Sequence, residues 1–188
     1  MAYVTVTELK RYLGIDGDNV ADDALLSDMV QRAQAVIESR TGRTFEAATD
    51  TTRHHGADCI DGYRLWLDGD LVSVTSIVNG DGAAVATDQV TTQPRNRRPA
   101  HALVLASTAG VQWDADSGDI AVTGRWAYSL TPPADIVQAT VRLAAWLYRQ
   151  KDNVGADAPM LAGDTMILPS RLPADVTELL QPYRQVHV

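Results

Sequence analysis

The chain has 188 residues, a net charge of -8 and one cysteine. That length fits one domain, or one domain with an insertion. The lone Cys59 excludes an internal disulfide and a cysteine-rich zinc module, and the acid excess argues against a protein that binds nucleic acid by neutralising phosphates. No apolar run reaches the roughly 18 residues a membrane helix needs, and MAYVTVTELK lacks the basic-then-apolar layout of a signal peptide. A soluble, non-exported protein without membrane attachment is expected.

Near the N-terminus, Thr5 and Glu8 have the spacing of a capping box, Leu9, Tyr12 and Leu13 follow, and Gly14 is placed to stop the turn. IDGDNVADD then reads as a polar loop whose Asp22 caps a second helix, which runs to about Arg40 with Gly42 as terminator. Leu25, Leu26, Met29, Val30, Ala33, Val36 and Ile37 share an arc of roughly 140° at the helical step, so this helix needs a partner.

Between residues 49 and 128 the period changes and Gly, Asp, Thr and Val replace helix formers. β-type runs fall at 63–67, 71–78, 102–106 and 120–126, separated by turn clusters such as Asn79-Gly80-Asp81-Gly82 and Ser117-Gly118-Asp119. In the last run Ile120, Val122 and Trp126 alternate with Ala121, Thr123 and Arg125, the pattern of a half-buried strand.

Residues 131–153 form the second long helix of the reading, with Thr131 as N-cap, Pro132 and Pro133 in the first turn, and Arg149 and Lys151 near the negative end of the dipole. Ile136, Val137, Thr140, Val141, Leu143, Ala144, Leu147 and Tyr148 lie on one arc of roughly 160°, the core face. Arg142 and Arg149 lie opposite, while Ala139, Ala145 and Trp146 fall outside the arc without being polar. An exposed Trp predicts that something covers it. Beyond, 154–170 is rich in Gly, Ala and Pro and reads as a flexible arm. A short helix opens at Pro173, and the tail carries Tyr183 and Arg184, an aromatic and a cation placed for docking.

The expected fold class is therefore α+β, mainly α: a small helical bundle (helices about 5–13, 22–41, 132–152 and 173–181) with an antiparallel β-rich insertion over about 50–128, all in one domain.

Catalytic signals are absent. There is no G-x-S-x-G elbow and no phosphate-cradling Gly-rich loop, and Cys59 has no base partner in sequence, so no enzyme and no cofactor are expected. His54, His55, Asp58 and Cys59 are metal-ligand types, but no second pair closes a zinc site. Asp114, Asp116 and Asp119 resemble the start of a calcium loop. The glycine comes one place early and no bidentate Glu follows, which favours a hairpin turn over a calcium- or ligand-binding module. Arg95, Arg97 and Arg98 are the one basic cluster. It serves equally as a contact for an acidic partner or DNA, or as a solvated loop tip.

The order of these signals resembles a known family. T-x-x-E-L-K-x-Y-L-G-I, then D-D-A-L-L and its helix closing on R-T-G-R-T-F, resemble the opening of the head–tail connector (adaptor, head-completion) proteins of long-tailed bacteriophages and prophages. L-W-L-D-G-D-L-V-S-V-T-S-I, G-D-I-A-V-T-G-R-W-A-Y-S, P-P-A-D-I-V-Q-A-T-V-R-L-A-A-W-L-Y-R and the closing L-P-A-D-V-T-E-L-L-Q-P-Y-R are similar to the family's later segments. The resemblance implies a structural virion protein at the head–tail interface, made in the host cytoplasm. It implies a ring of about twelve subunits below the portal protein, extending the DNA channel and docking a stopper or tail-completion protein. DNA would pass without sequence-specific binding, and another virion completion protein remains a neighbouring possibility. The family defines no catalytic positions.

A head-to-tail ring needs two different complementary surfaces on one subunit. The residues that carry this expectation are Ala139, Arg142, Ala145, Trp146 and Arg149 on the long helix, with Asp22, Asp23 and Asp28 as the acidic counterpart of a neighbour. Arg95, Arg97, Arg98, Tyr183 and Arg184 are the candidate contacts for a partner or for DNA.

Overall fold

The computed structural model describes residues 2–150, 160–162, 165–167 and 172–185. The chain divides into two compact units, one of residues 43–132 and one of residues 2–42 with those from 133 onward.

The second of these is helical. In α1 (Val6–Leu13) the Thr5 hydroxyl accepts from the Glu8 N–H while the Glu8 carboxylate accepts from the Thr5 N–H, so the expected capping box is formed. Those bonds hold the Glu8 carboxyl below its usual range, and Gly14 closes the helix at φ 73. α2 (Asp23–Thr41) buries Leu26, Met29, Val30, Ala33 and Ile37 and ends at Gly42 with φ 69. Only glycine adopts this left-handed backbone without strain.

α3 (Ala134–Arg149) starts later than the sequence suggests. Pro133, with extended backbone, occupies the N-cap position, and its carbonyl accepts from the Ile136 and Val137 N–H groups. Proline has no side-chain oxygen to accept from the first-turn N–H groups, so α3 has no side-chain cap, and Thr131, two residues before Pro133, does not cap it. α3 packs on α2 and α1, and α4 (Ala174–Leu180) packs on α3. Ile136, Leu143 and Val176 are fully buried. Each such side chain contributes roughly 1.5–3 kcal/mol of transfer free energy. Of the arm expected over 154–170, β8 (Met160–Ala162) and β9 (Thr165–Ile167) pair antiparallel, and the remainder lies outside the described residues.

Residues 43–132 build a seven-stranded sheet from β1 (Thr51–His55), β2 (Ile60–Asp61), β3 (Arg64–Val78), β4 (Ala84–Val85), β5 (Val90–Gln93), β6 (Ala100–Leu105) and β7 (Ile120–Trp126). The order is β1-β7-β3-β6-β5, antiparallel throughout, with β2 and β4 added at the two ends of β3. β3 is the spine. Its first half pairs β6 and its second half pairs β7, with register shifts between Trp66 and Leu71 and again between Leu71 and Ser76. The two sequence runs at 63–67 and 71–78 are thus one strand bent through Asp68-Gly69-Asp70. Leu65, Leu71, Ile77, Leu103, Trp113, Ile120, Val122 and Trp126 form its core.

This corrects the expected fold class. The protein is not mainly α: the described residues hold four helices and a seven-stranded antiparallel sheet, a β-rich mixed fold. The sheet, which lies in sequence between α2 and α3, has a hydrophobic core of its own. Four strands carried no readable alternation: β2 and β4 are two residues long, and TTRHH and VTTQ hold almost no apolar residues.

Candidate functional site

Asp135, Ala139, Arg142 and Trp146 recur at i, i+4, i+7 and i+11, one stripe of α3. Arg142 donates to the Asp175 carboxylate on α4 at 2.6 Å, and the Tyr183 hydroxyl donates to Asp135 at 3.3 Å. Two residues of this stripe, Asp135 and Arg142, are thus engaged by the C-terminal segment of their own chain. Ala139 and Ala145 are buried, Trp146 is half-buried, and Arg149 stays exposed. Arg142 lowers the Asp175 carboxyl below its usual range by donating to the charged form.

The acidic counterpart is also partly engaged. Asp22 sits at the N-cap of α2 but accepts from the Tyr148 hydroxyl rather than capping the helix, and Asp23 pairs with Lys10 at 2.5 Å. Asp28 is exposed.

Arg95, Arg97 and Arg98 occupy the exposed turn between β5 and β6, flanked by Pro94 and Pro99. Arg98 donates to the Thr92 hydroxyl at 3.0 Å. Strand register sets Trp66, Ala102 and Gln93 side by side on β3, β6 and β5. Beside them lies an open pocket of about 410 Å³ lined by Trp66, Gln93, Pro94, Arg95, His101 and Ala102. Arg64 lies over the Trp66 ring at 5.0 Å and donates to the Gln93 side chain at 3.1 Å. Arg64, Trp66 and His101 are not among the residues that motif or spacing singles out in the sequence. The available signal was Trp66 alternating with Leu65 and Leu67, which puts an aromatic on the solvent side of a strand.

Tyr183 is half-buried and Arg184 exposed. Arg184 lines a cavity of about 620 Å³ with Arg40, Leu172, Thr177 and Glu178, and the Gln185 N–H donates to the Thr41 carbonyl. The tail is thus tied to the end of α2.

The metal-ligand types do not converge. His54 and His55 are neighbours on β1 and point to opposite faces, exposed and buried. His55 stacks on Trp126 at 5.7 Å and its Nε2 lies 3.5 Å from Asp68, while burial pushes its pKa down. Burial and the neighbouring Asp58 carboxylate push the Cys59 thiol up, away from reactive thiolate. In the 114–119 turn the Asp116 N–H donates to the Asp114 carboxylate, and the Asp114 N–H donates to the buried Asn79 side chain. Among the described residues no group of three His, Cys, Asp or Glu could hold a metal ion. The turn is instead a packing element: a Cβ on Gly80 would lie 2.0 Å from the Gly118 carbonyl oxygen.

Residues 3–62 match the family model described as "Phage gp6-like head-tail connector protein". That span holds the T-x-x-E-L-K and D-D-A-L-L segments on which the sequence resemblance began. Three solved structures are similar over nearly the whole chain. A protein of the neck of an empty gene transfer agent particle, computed with C6 symmetry, has a TM-score of 0.65 at 22% identity, covering 99% of this chain and 91% of that one. A chain of the virion of a native gene transfer agent particle has a TM-score of 0.63 at 23% identity, with the same coverage. One from the neck of the native particle, computed with C12 symmetry, has a TM-score of 0.62 at 22% identity, covering 97% and 89%. At these identities the likeness is one of fold. No curated protein matches the chain.

Proposed function

We propose that the chain is a structural connector subunit of a phage-like particle, placed at the head–tail interface and catalysing no reaction. The observation that carries this reading is the family match over residues 3–62, the segment that forms α1, α2 and the first two strands of the sheet. The shared fold with neck proteins extends the same frame over the rest of the chain.

In this reading about twelve copies form a ring against the portal protein and present a docking surface to a stopper or tail-completion protein. Of the positions considered for the subunit contact, Arg149 and Asp28 are the exposed ones. Arg95, Arg97, Arg98 and Arg184 remain exposed for a partner. The net charge of -8 suits a channel that phosphates pass without sticking. Electron microscopy of the purified protein, alone and mixed with its portal, tests this: closed rings seated on the portal are expected. A protein that neither associates with the portal nor occupies the particle neck is something else. Tight duplex DNA binding at physiological salt would count against the repelling channel.

A further inference from the structure

We propose that the pocket beside Trp66 and Arg95 receives the 16–23 loop of a second copy of this chain, Val20 entering the pocket while Asp18 meets its arginines. The proposal rests on the connector reading and deepens it by naming the two surfaces that join subunits.

Both surfaces carry apolar groups that the isolated chain leaves in water. Trp66 is 47% exposed and Val20 69%. The pocket has an apolar floor of Trp66, Pro94 and Ala102 and the Arg95 guanidinium on its rim, with Arg64 laid over the Trp66 ring, while His101 on the same rim lies 3.7 Å from the Asp70 carboxylate. The loop has the opposite character. Val20 follows exposed Asp16 and Asp18, and Asp22 and Asp23 behind it are held by Tyr148 and Lys10.

Each side is set before contact. In the loop the Asp18 N–H donates to the Asp16 carboxylate at 3.2 Å, the Asn19 N–H to the Asp16 carbonyl at 3.1 Å and the Ala21 N–H to the Asn19 side chain at 3.1 Å. Beside the pocket, Arg64 is fixed by Gln93. Pre-organised groups lose less conformational freedom on association. Opposite charge steers the encounter and sets its register, while Trp and Arg are the residue types that dominate binding energy at interface centres. The two surfaces are unlike, so pairing them is heterologous, the type of contact that closes into a ring when the rotation permits. Duplex DNA fits the pocket less well, because it is one small basic spot on an acidic chain and phosphate binding draws on many cations at once.

Two full-length variants test the pairing: a pocket variant, Trp66→Ala with Arg95→Glu and Arg97→Glu, and a loop variant, Asp18→Lys with Val20→Lys. All five positions are exposed, and unchanged circular dichroism and melting check that both fold. In sedimentation velocity each variant alone is expected to remain monomeric. Mixed, they hold one intact pocket and one intact loop between them, so a one-to-one dimer and nothing larger should form. Three outcomes overturn the proposal: variants that assemble as the unaltered chain does, a mixture that stays monomeric, or a pocket variant that assembles normally while losing duplex DNA binding. The connector reading fails separately, if the chain is missing from the particle neck.

Discussion

Arg142 of α3 and Asp175 of α4 are joined at 2.6 Å, which ties the polar side of α3 to the C-terminal helix of the same chain. Arg142 and Trp146 are one helical turn apart on α3, and Arg142 is the one that reaches α4. The pair is half exposed, so its own worth is about 0–1 kcal/mol. Arg142→Ala should lower the melting temperature only slightly, yet hydrogen exchange in α4 should quicken while α2 is unaffected. Because the Asp175 carboxyl is depressed, its contribution is present above the ordinary value of 3.8 and disappears as pH falls from there through the lower folded value. Uniform quickening of exchange across all four helices would show that α4 is not held by this contact.

Arg43 and Asp70 make the more buried pair. Arg43 Nη1 lies 2.5 Å from both Asp70 oxygens, its guanidinium sits 5.5 Å from the centre of the Tyr128 ring, and the side chains are 15% and 6% exposed. Removing one member of a buried pair strands the other, at a cost near 3 kcal/mol. Asp70→Ala is therefore expected to lower the denaturant midpoint much more than Asp68→Ala, whose carboxylate is 57% exposed. Equal effects would mean that burial of the Arg43 pair is energetically unimportant.

Features written in local hydrogen bonding were legible in the sequence. Thr5 and Glu8 gave the capping box, Gly14 and Gly42 the helix ends, and the 120–126 alternation a strand whose burial follows it residue by residue. What was not legible depends on partners distant in the chain. Nothing near Arg142 announces that Asp175 will cover it, and Trp66 meets Gln93 only because both register against Ala102. The sheet was underestimated for a related reason: strands such as TTRHH are held by their neighbours' backbone rather than by their own apolar pattern.

Gly124 of β7 registers against Val74, within the irregular stretch of β3. A Cβ there would sit 2.1 Å from the Ser73 carbonyl oxygen and 3.2 Å from a Leu71 methyl. Backbone cannot yield as a side-chain tip can, so Gly124→Ala must displace one of the two strands. A loss of about 3 kcal/mol or more is expected in denaturant unfolding, above the usual overpacking range. Gly17→Ala is the control, since a Cβ there meets nothing within 4 Å. If both variants unfold at the same midpoint, the close approach of β3 and β7 is wrong.

His55 gives the sheet a dependence on mild acid. Its side chain is fully buried against Trp126, and burial lowers its pKa from the ordinary 6.5, more than the nearby Asp68 carboxylate raises it. Arg53, 3.0 Å from the same carboxylate, adds to the lowering. With the folded value below the unfolded one, the unfolded chain binds more protons between the two. Stability is whole above 6.5, falls as pH drops through that window, and levels off below the folded value, by about 1.4 kcal/mol for each unit of depression. His55→Gln removes the titrating ring. It is expected to be less stable than the unaltered chain at pH near 8, but to lose less on going to pH near 5.5. Thermal unfolding at the two pH values reads the difference directly, and parallel losses in both proteins would assign the acid sensitivity to groups other than His55.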